Sequence, residues 1–108
     1  MVKIGKETKF AYLGIGCVLH KDCIIGTNCL IGQGITIGGR GPHNGVPRIG
    51  NSVYLGPVAR VLGPIIIGDN VIIGPNAVVI NDIPSGSIVV GIPGKIIKSG
   101  VDDISKYL

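Results

Sequence analysis

Residues 49 to 79 run Ile49-Gly50-Asn51-Ser52-Val53-Tyr54, Leu55-Gly56-Pro57-Val58-Ala59-Arg60, Val61-Leu62-Gly63-Pro64-Ile65-Ile66, Ile67-Gly68-Asp69-Asn70-Val71-Ile72 and Ile73-Gly74-Pro75-Asn76-Ala77-Val78, ending at Val79. An aliphatic residue opens each hexad, with Gly after it in all but the one headed by Val61. The fifth position is small or β-branched: Val53, Ala59, Ile65, Val71 and Ala77. Two columns therefore point inward. A period of six fits neither an amphipathic helix nor an ordinary hairpin sheet. It fits a coil of short flat strands joined by corners.

Working outward, Ile25-Gly26, Ile31-Gly32 and Ile37-Gly38 continue the pattern toward the N-terminus, with Cys29 and Ile35 in the fifth position; Ile83 fills that position beyond Val79. If three hexads close one triangular turn, Ile49 lies under Ile67, Leu55 under Ile73 and Val61 under Val79. Asn28, Asn51, Asp69-Asn70 and Asn76 supply corner residues that tolerate tight turns. The chain reads as a parallel β-helix, an all-β hexapeptide solenoid. About four to five coils are expected between residues 10 and 90, the first irregular because Ile4 and Phe10 are out of register with Leu19 and Ile25. So short a solenoid has open ends and limited burial, which argues for a homo-oligomer.

Composition agrees. The 108 residues are 45% hydrophobic, 4% aromatic and 15% charged, with 19 Gly and no Trp. Helix formers are scarce, and β-branched Ile and Val dominate. One domain spanning residues 1–108 is expected. No apolar run approaches the roughly 18 residues of a membrane span, and Met1 to Lys6 lacks the apolar core of a secretion signal. The expected address is cytoplasmic. The net charge of +4 is dispersed and not interleaved with aromatic residues, so nucleic-acid binding is not expected. Cys17, Cys23 and Cys29 read as reduced core thiols; they lack the CxxC pairs or nearby His of a metal site.

Two segments break the repeat. Residues 39 to 48 carry Arg40, His43 and Arg48 among three glycines and read as an exposed loop that could bind an acceptor carboxylate or a phosphate. Residues 99 to 108 form a tail, with a short helix expected to carry Asp102 and Asp103 in its first turn. His20 stands where most hexads have Gly, so its side chain should leave the corner, and Asp22 is a candidate orienting partner. His20 reads either as a general base or as an exposed corner residue. Arg60 and Lys98 read as surface charges or phosphate contacts. Gly32-Gln33-Gly34 and Gly38-Gly39-Arg40-Gly41 are not followed by a lysine-hydroxyl pair or a helical pattern, which excludes a phosphate loop.

The hexads, together with Gly91-Ile92-Pro93-Gly94-Lys95-Ile96-Ile97, resemble the left-handed β-helix acyltransferases and within them the serine acetyltransferase branch, over roughly residues 15 to 98. The resemblance implies a left-handed coil, a homotrimer with sites between neighbours, and acetyl transfer from acetyl-CoA to a hydroxyl of a small acceptor, without a metal. It implies a His general base and direct attack on the thioester. Carried residue by residue, the CoA arm falls on Gly56, Ala59, Gly74 and Ala77, and the adenine nucleotide near Pro93 and Lys95. The family's base falls near Leu13 to Ile15, where no side chain here takes a proton, so His20, with Asp22, is the catalytic candidate, and Arg40, His43 and Arg48 are the acceptor-binding ones. Two other readings stay open: a sugar or polysaccharide O-acetyltransferase, and a non-catalytic trimer that binds CoA or a partner. A zinc enzyme on the same scaffold would need three His ligands where the chain has two, and an ice-binding scaffold would need stacked Thr rows.

Overall fold

The computed structural model describes residues 1–108 and is a left-handed parallel β-helix. Its strands are β1 (Lys3–Ile4), β2 (Lys9–Phe10), β3 (Val18–Leu19), β4 (Ile24–Ile25), β5 (Leu30–Ile31), β6 (Thr36–Gly38), β7 (Arg48–Ile49), β8 (Tyr54–Leu55), β9 (Arg60–Leu62), β10 (Ile66–Ile67), β11 (Ile72–Ile73), β12 (Val78–Val79), β13 (Ile88–Val90) and β14 (Lys95–Lys98). They stack into three faces. The first is β1-β4-β7-β10, the second β2-β5-β8-β11-β13-β14 and the third β3-β6-β9-β12.

The expected ladders form. Ile49 pairs with Ile67, Leu55 with Ile73 and Val61 with Val79. All are fully buried or nearly so, in one cluster with the fifth-position residues Cys29, Ile35, Val53, Ala59, Ile65, Val71, Ala77 and Ile83. Each large aliphatic side chain buried this way contributes about 1.5–3 kcal/mol, and no aromatic ring is needed to fill so narrow a core.

The first coil is irregular, as expected, but it begins before residue 10. It starts at Lys3 and is fully paired: Ile4 lies against Ile25, Phe10 against Ile31 and Leu19 against Ile37. The surplus residues that put Ile4 and Phe10 out of register are absorbed in a bulge at Ala11–Gly14, where Tyr12 and Leu13 both take left-handed backbone angles (φ 50° and 59°). Hydrogen bonding between strands, which is blind to sequence offset, restores the stack.

At the corner between the first and second faces, Gly5, Gly26, Gly50 and Gly68 lie one above another, and a methyl group on any would strike the main chain of the next coil. Glycine lets the coils approach closely enough for a second ladder. Thr27 N–H donates to Asn51 Oδ1 (2.9 Å), Asn51 N–H to Asp69 Oδ1 (2.7 Å) and Asp69 N–H to Ser85 Oγ (2.8 Å).

The last coil is roofed by β14, which folds back antiparallel on β13. Beyond it the tail runs over the second face, where Val101 and Ile104 bury against Ile72. The expected helix is only a 3-10 turn, Ile104–Tyr107, and Asp103 stands before it as its cap rather than inside it. So few residues cannot nucleate an α-helix, and contact with Ile72 holds the segment instead.

Candidate functional site

Gly56 and Ala59 lie between β8 and β9, and Gly74 and Ala77 between β11 and β12, all at the corner joining the second and third faces. The roof crosses the same corner, since Gly94 N–H donates to Val78 O (2.7 Å) and Val78 N–H to Gly91 O (3.0 Å). This brings Pro93 and Lys95 to the top of the column. Six residues scattered over forty positions of sequence thus share one edge of the prism.

The N–H groups of the four coil residues are already used. Gly56 N–H donates to Ile73 O (2.7 Å), Ala59 N–H to Gly56 O (3.2 Å), Gly74 N–H to Val89 O (2.8 Å) and Ala77 N–H to Gly74 O (3.3 Å). These four N–H donors are therefore spent within the solenoid, and none is left for a CoA arm. All four residues are also buried, Ala59 and Ala77 within the core itself, so the outer surface of the corner is made by Pro57, Val58, Pro75 and Asn76.

His20 and Asp22 lie between β3 and β4, and Arg40 and His43 in the loop after β6, so all four occupy the corner between the third and first faces. His20 N–H donates to Ile37 O (2.8 Å), which seats His20 directly beside Gly38, where the loop departs. Asp22 meets His20 through its main chain, the Asp22 N–H donating to His20 Nδ1 (3.1 Å). Its carboxylate faces the Met1 ammonium at 3.5 Å. The loop is closed by an Arg40–His43 bridge, and Arg40 packs over Gly63. Arg48 is separate from this group. It belongs to β7 and points out from the first face, so the loop ends at Pro47, which is buried.

Between the two corners, on the third face, sits Arg60. Its Nη1 donates to Gly34 O (2.7 Å) and Val58 O (3.3 Å), clamping two coils together. The sequence leaves it as a surface charge or a phosphate contact; only the coil stacking sets two carbonyls opposite its guanidinium. The sequence reading also missed the exposed Tyr12 and Leu13 and a groove of about 460 Å³ between the second face and the tail, lined by Tyr54, Ile72, Gly74, Pro75 and Tyr107. Lys98 stands over the Tyr107 ring, its Nζ 5.6 Å from the centroid. No periodicity signals these, because Tyr12 and Leu13 sit in the bulge that breaks the count, and the groove depends on where the tail returns.

The three cysteines are free. Burial pushes the Cys23 and Cys29 thiols up, which keeps them protonated and inert. No helix is long and apolar enough to cross a membrane.

Comparison with known proteins follows this geometry. Residues 47–81 match the family model described as bacterial transferase hexapeptide (six repeats). Among solved structures, serine acetyltransferase from Neisseria gonorrhoeae is 34% identical with a TM-score of 0.87, the match covering 96% of this chain and 41% of that one. The soybean apoenzyme is 35% identical with a TM-score of 0.83, covering 89% and 40%. Serine acetyltransferase from Brucella abortus in complex with coenzyme A is 29% identical with a TM-score of 0.86, covering 91% and 40%. The chain thus spans about two fifths of the length of these structures. No curated protein matches it significantly by sequence.

Proposed function

From the premise that this is a hexapeptide-repeat chain of the serine acetyltransferase-like kind, we propose that it transfers an acetyl group from acetyl-CoA to a hydroxyl of a small acceptor, without a metal. The observation that carries this is the likeness of 91% of the chain to a serine acetyltransferase solved with coenzyme A, with Pro93 and Lys95 brought to the end of the corner that Gly56, Ala59, Gly74 and Ala77 turn. A thin pantetheine arm lies over the outer surface of that corner, on Pro57, Val58, Pro75 and Asn76, by shape and dispersion, and Lys95 at its end suits the nucleotide phosphates.

The acceptor belongs at the neighbouring corner, where both imidazoles of the chain project and Arg40 supplies a cation for an acidic acceptor. An imidazole takes the hydroxyl proton as the oxygen attacks the thioester carbonyl. The tetrahedral intermediate then expels the CoA thiolate, which receives that proton back from the imidazolium. An acetyl ester and free CoA result.

Residues 1–108 act as a single packed unit, in a homotrimer in the cytoplasm where acetyl-CoA is available. Exposed Tyr12, Leu13, Ile15 and Val18 at the foot of the third face support subunit contact there. A non-catalytic CoA-binding trimer is the second reading, favoured by Leu13, which puts a fully exposed aliphatic chain where the resemblance expects a base.

The test is a thiol-release assay with acetyl-CoA across L-serine, other hydroxy amino acids, sugars and nucleotide sugars, alongside calorimetric titration with CoA. Turnover with one acceptor is expected and names it. CoA binding without turnover moves the assignment to the second reading, and absence of CoA binding overturns both.

A further inference from the structure

We infer that His20 serves the acyl transfer as a hydrogen-bond donor through Nε2, and that His43 is the proton acceptor of the pair; this rests on the acyltransferase reading above. A neutral imidazole has one N–H and one bare nitrogen, and the bond made by one nitrogen decides what the other offers. In His20 the bare nitrogen is Nδ1, because it accepts the Asp22 main-chain N–H at 3.1 Å. The ring proton is therefore on Nε2, the nitrogen left to face a ligand. A base working through Nε2 needs the opposite arrangement, with Nδ1–H held by a carbonyl or carboxylate.

The arrangement is built into the corner rather than into a movable side chain. Cys23 N–H donates to His20 O (3.0 Å), closing a tight turn over residues 20 to 23. His20 N–H is tied to Ile37 O in the next coil. That turn sets the Asp22 N–H against the ring, and the Asp22 carboxylate makes no bond to it. His43 differs. Its ring makes no hydrogen bond, and it stands on the exposed loop leaving the same corner one coil on, so either nitrogen is open to a hydroxyl.

Two imidazoles then divide one reaction. His43 takes the proton from the acceptor oxygen. His20 Nε2–H donates to the thioester carbonyl oxygen as it becomes the oxyanion of the tetrahedral intermediate. A neutral donor aimed at developing negative charge is worth about 10²–10³ in rate. Neither role consumes a co-reactant, and the proton taken by His43 leaves with the CoA thiol.

The tautomer is read first, on the full chain and without turnover, by ¹⁵N–¹H correlation of the His20 ring at alkaline pH. A bare Nδ1 with Nε2–H is expected; a ring carrying its proton on Nδ1 overturns the inference. The second arm compares His20→Gln, His20→Ala and His43→Ala for thiol release across pH, with circular dichroism as the folding control. The Gln amide keeps a donor near the Nε2 position but cannot take a proton. His20→Gln should therefore stay within about tenfold of the parent and keep the acidic limb of kcat/KM, while His20→Ala loses about a hundredfold. His43→Ala should lose at least about a hundredfold together with that limb. A His20→Gln chain as inactive as His20→Ala, with the limb gone, overturns the inference yet leaves the acyltransferase reading standing. Failure of the parent chain to release thiol from acetyl-CoA defeats that reading instead, and the ring spectrum still decides the tautomer.

Discussion

Replacing Gly50 with Ala tests the close approach of the coils. The added methyl would lie 2.7 Å from Gly68 O and 2.8 Å from Gly68 C, and against Asp69 Oδ1, where ordinary contact begins at about 3.4 Å. The obstacle is main chain, held in place by Gly50 N–H to Ile67 O (2.9 Å) and Gly68 N–H to Ile83 O (2.9 Å), so relief requires the coils to part. Overpacking of this kind costs about 1–3 kcal/mol. Displacing Asp69 also strips the Asn51 N–H of its acceptor, which adds about 1 kcal/mol. The sum, about 2–4 kcal/mol, corresponds to a fall in Tm of roughly 10–30 °C for a domain of this size. Gly39→Ala is the matched control, because a methyl there meets nothing within 4 Å and the backbone is not left-handed. It should be neutral or stabilising by up to about 1 kcal/mol, through the unfolded state. Thermal melts by circular dichroism at one fixed protein concentration compare the two. A Gly50→Ala melt within 2 °C or so of the parent, or equal shifts for both variants, would refute the argument.

Three further outcomes are expected. Cys17 is half-buried while Cys23 and Cys29 are buried with raised thiol pKa values, so a thiol reagent at pH 8 should modify one cysteine quickly in the native protein and three after unfolding; rapid native modification of more than one contradicts the burial. The Ser105 hydroxyl and N–H hold the Asp103 carboxyl below its ordinary 3.8. A depressed native pKa means the contribution is complete above the unfolded value and is lost as pH falls through the native one, so amide protection at Ser105 should fall on that acid side and be flat in Asp103→Asn, and a midpoint above 3.8 would contradict it. Lys95→Ala should weaken CoA about two- to fivefold in calorimetry, as an exposed charge contact does, and dephospho-CoA less; equal losses would remove the contact.

The repeat made the β-helix legible because a hexad is a local quantity. Each Ile or Val heading a hexad announces its own inward direction, and Ile49, Leu55 and Val61 needed only a count of three hexads to find Ile67, Ile73 and Val79. Where the count slips, at Ala11–Gly14 and at the loop, the period carries no information, so the sequence marks the first coil as irregular, which the bulge bears out, but does not show that its strands pair fully. Arg48 was grouped with the loop for the same reason; pairing with Ile24 and Ile66 makes it part of the wall.

Sequence alone thus determined the architecture, the inward columns, the protruding loop and the two imidazoles available for chemistry. The tertiary structure decided which corner each of those groups occupies, that the corner N–H donors are spent within the solenoid, that Arg60 clamps two coils, and that Asp22 meets His20 through its main chain. Inward direction follows from neighbours a few residues apart, whereas hydrogen-bond partners across coils follow from a stacking offset that the bulge and the loop reset.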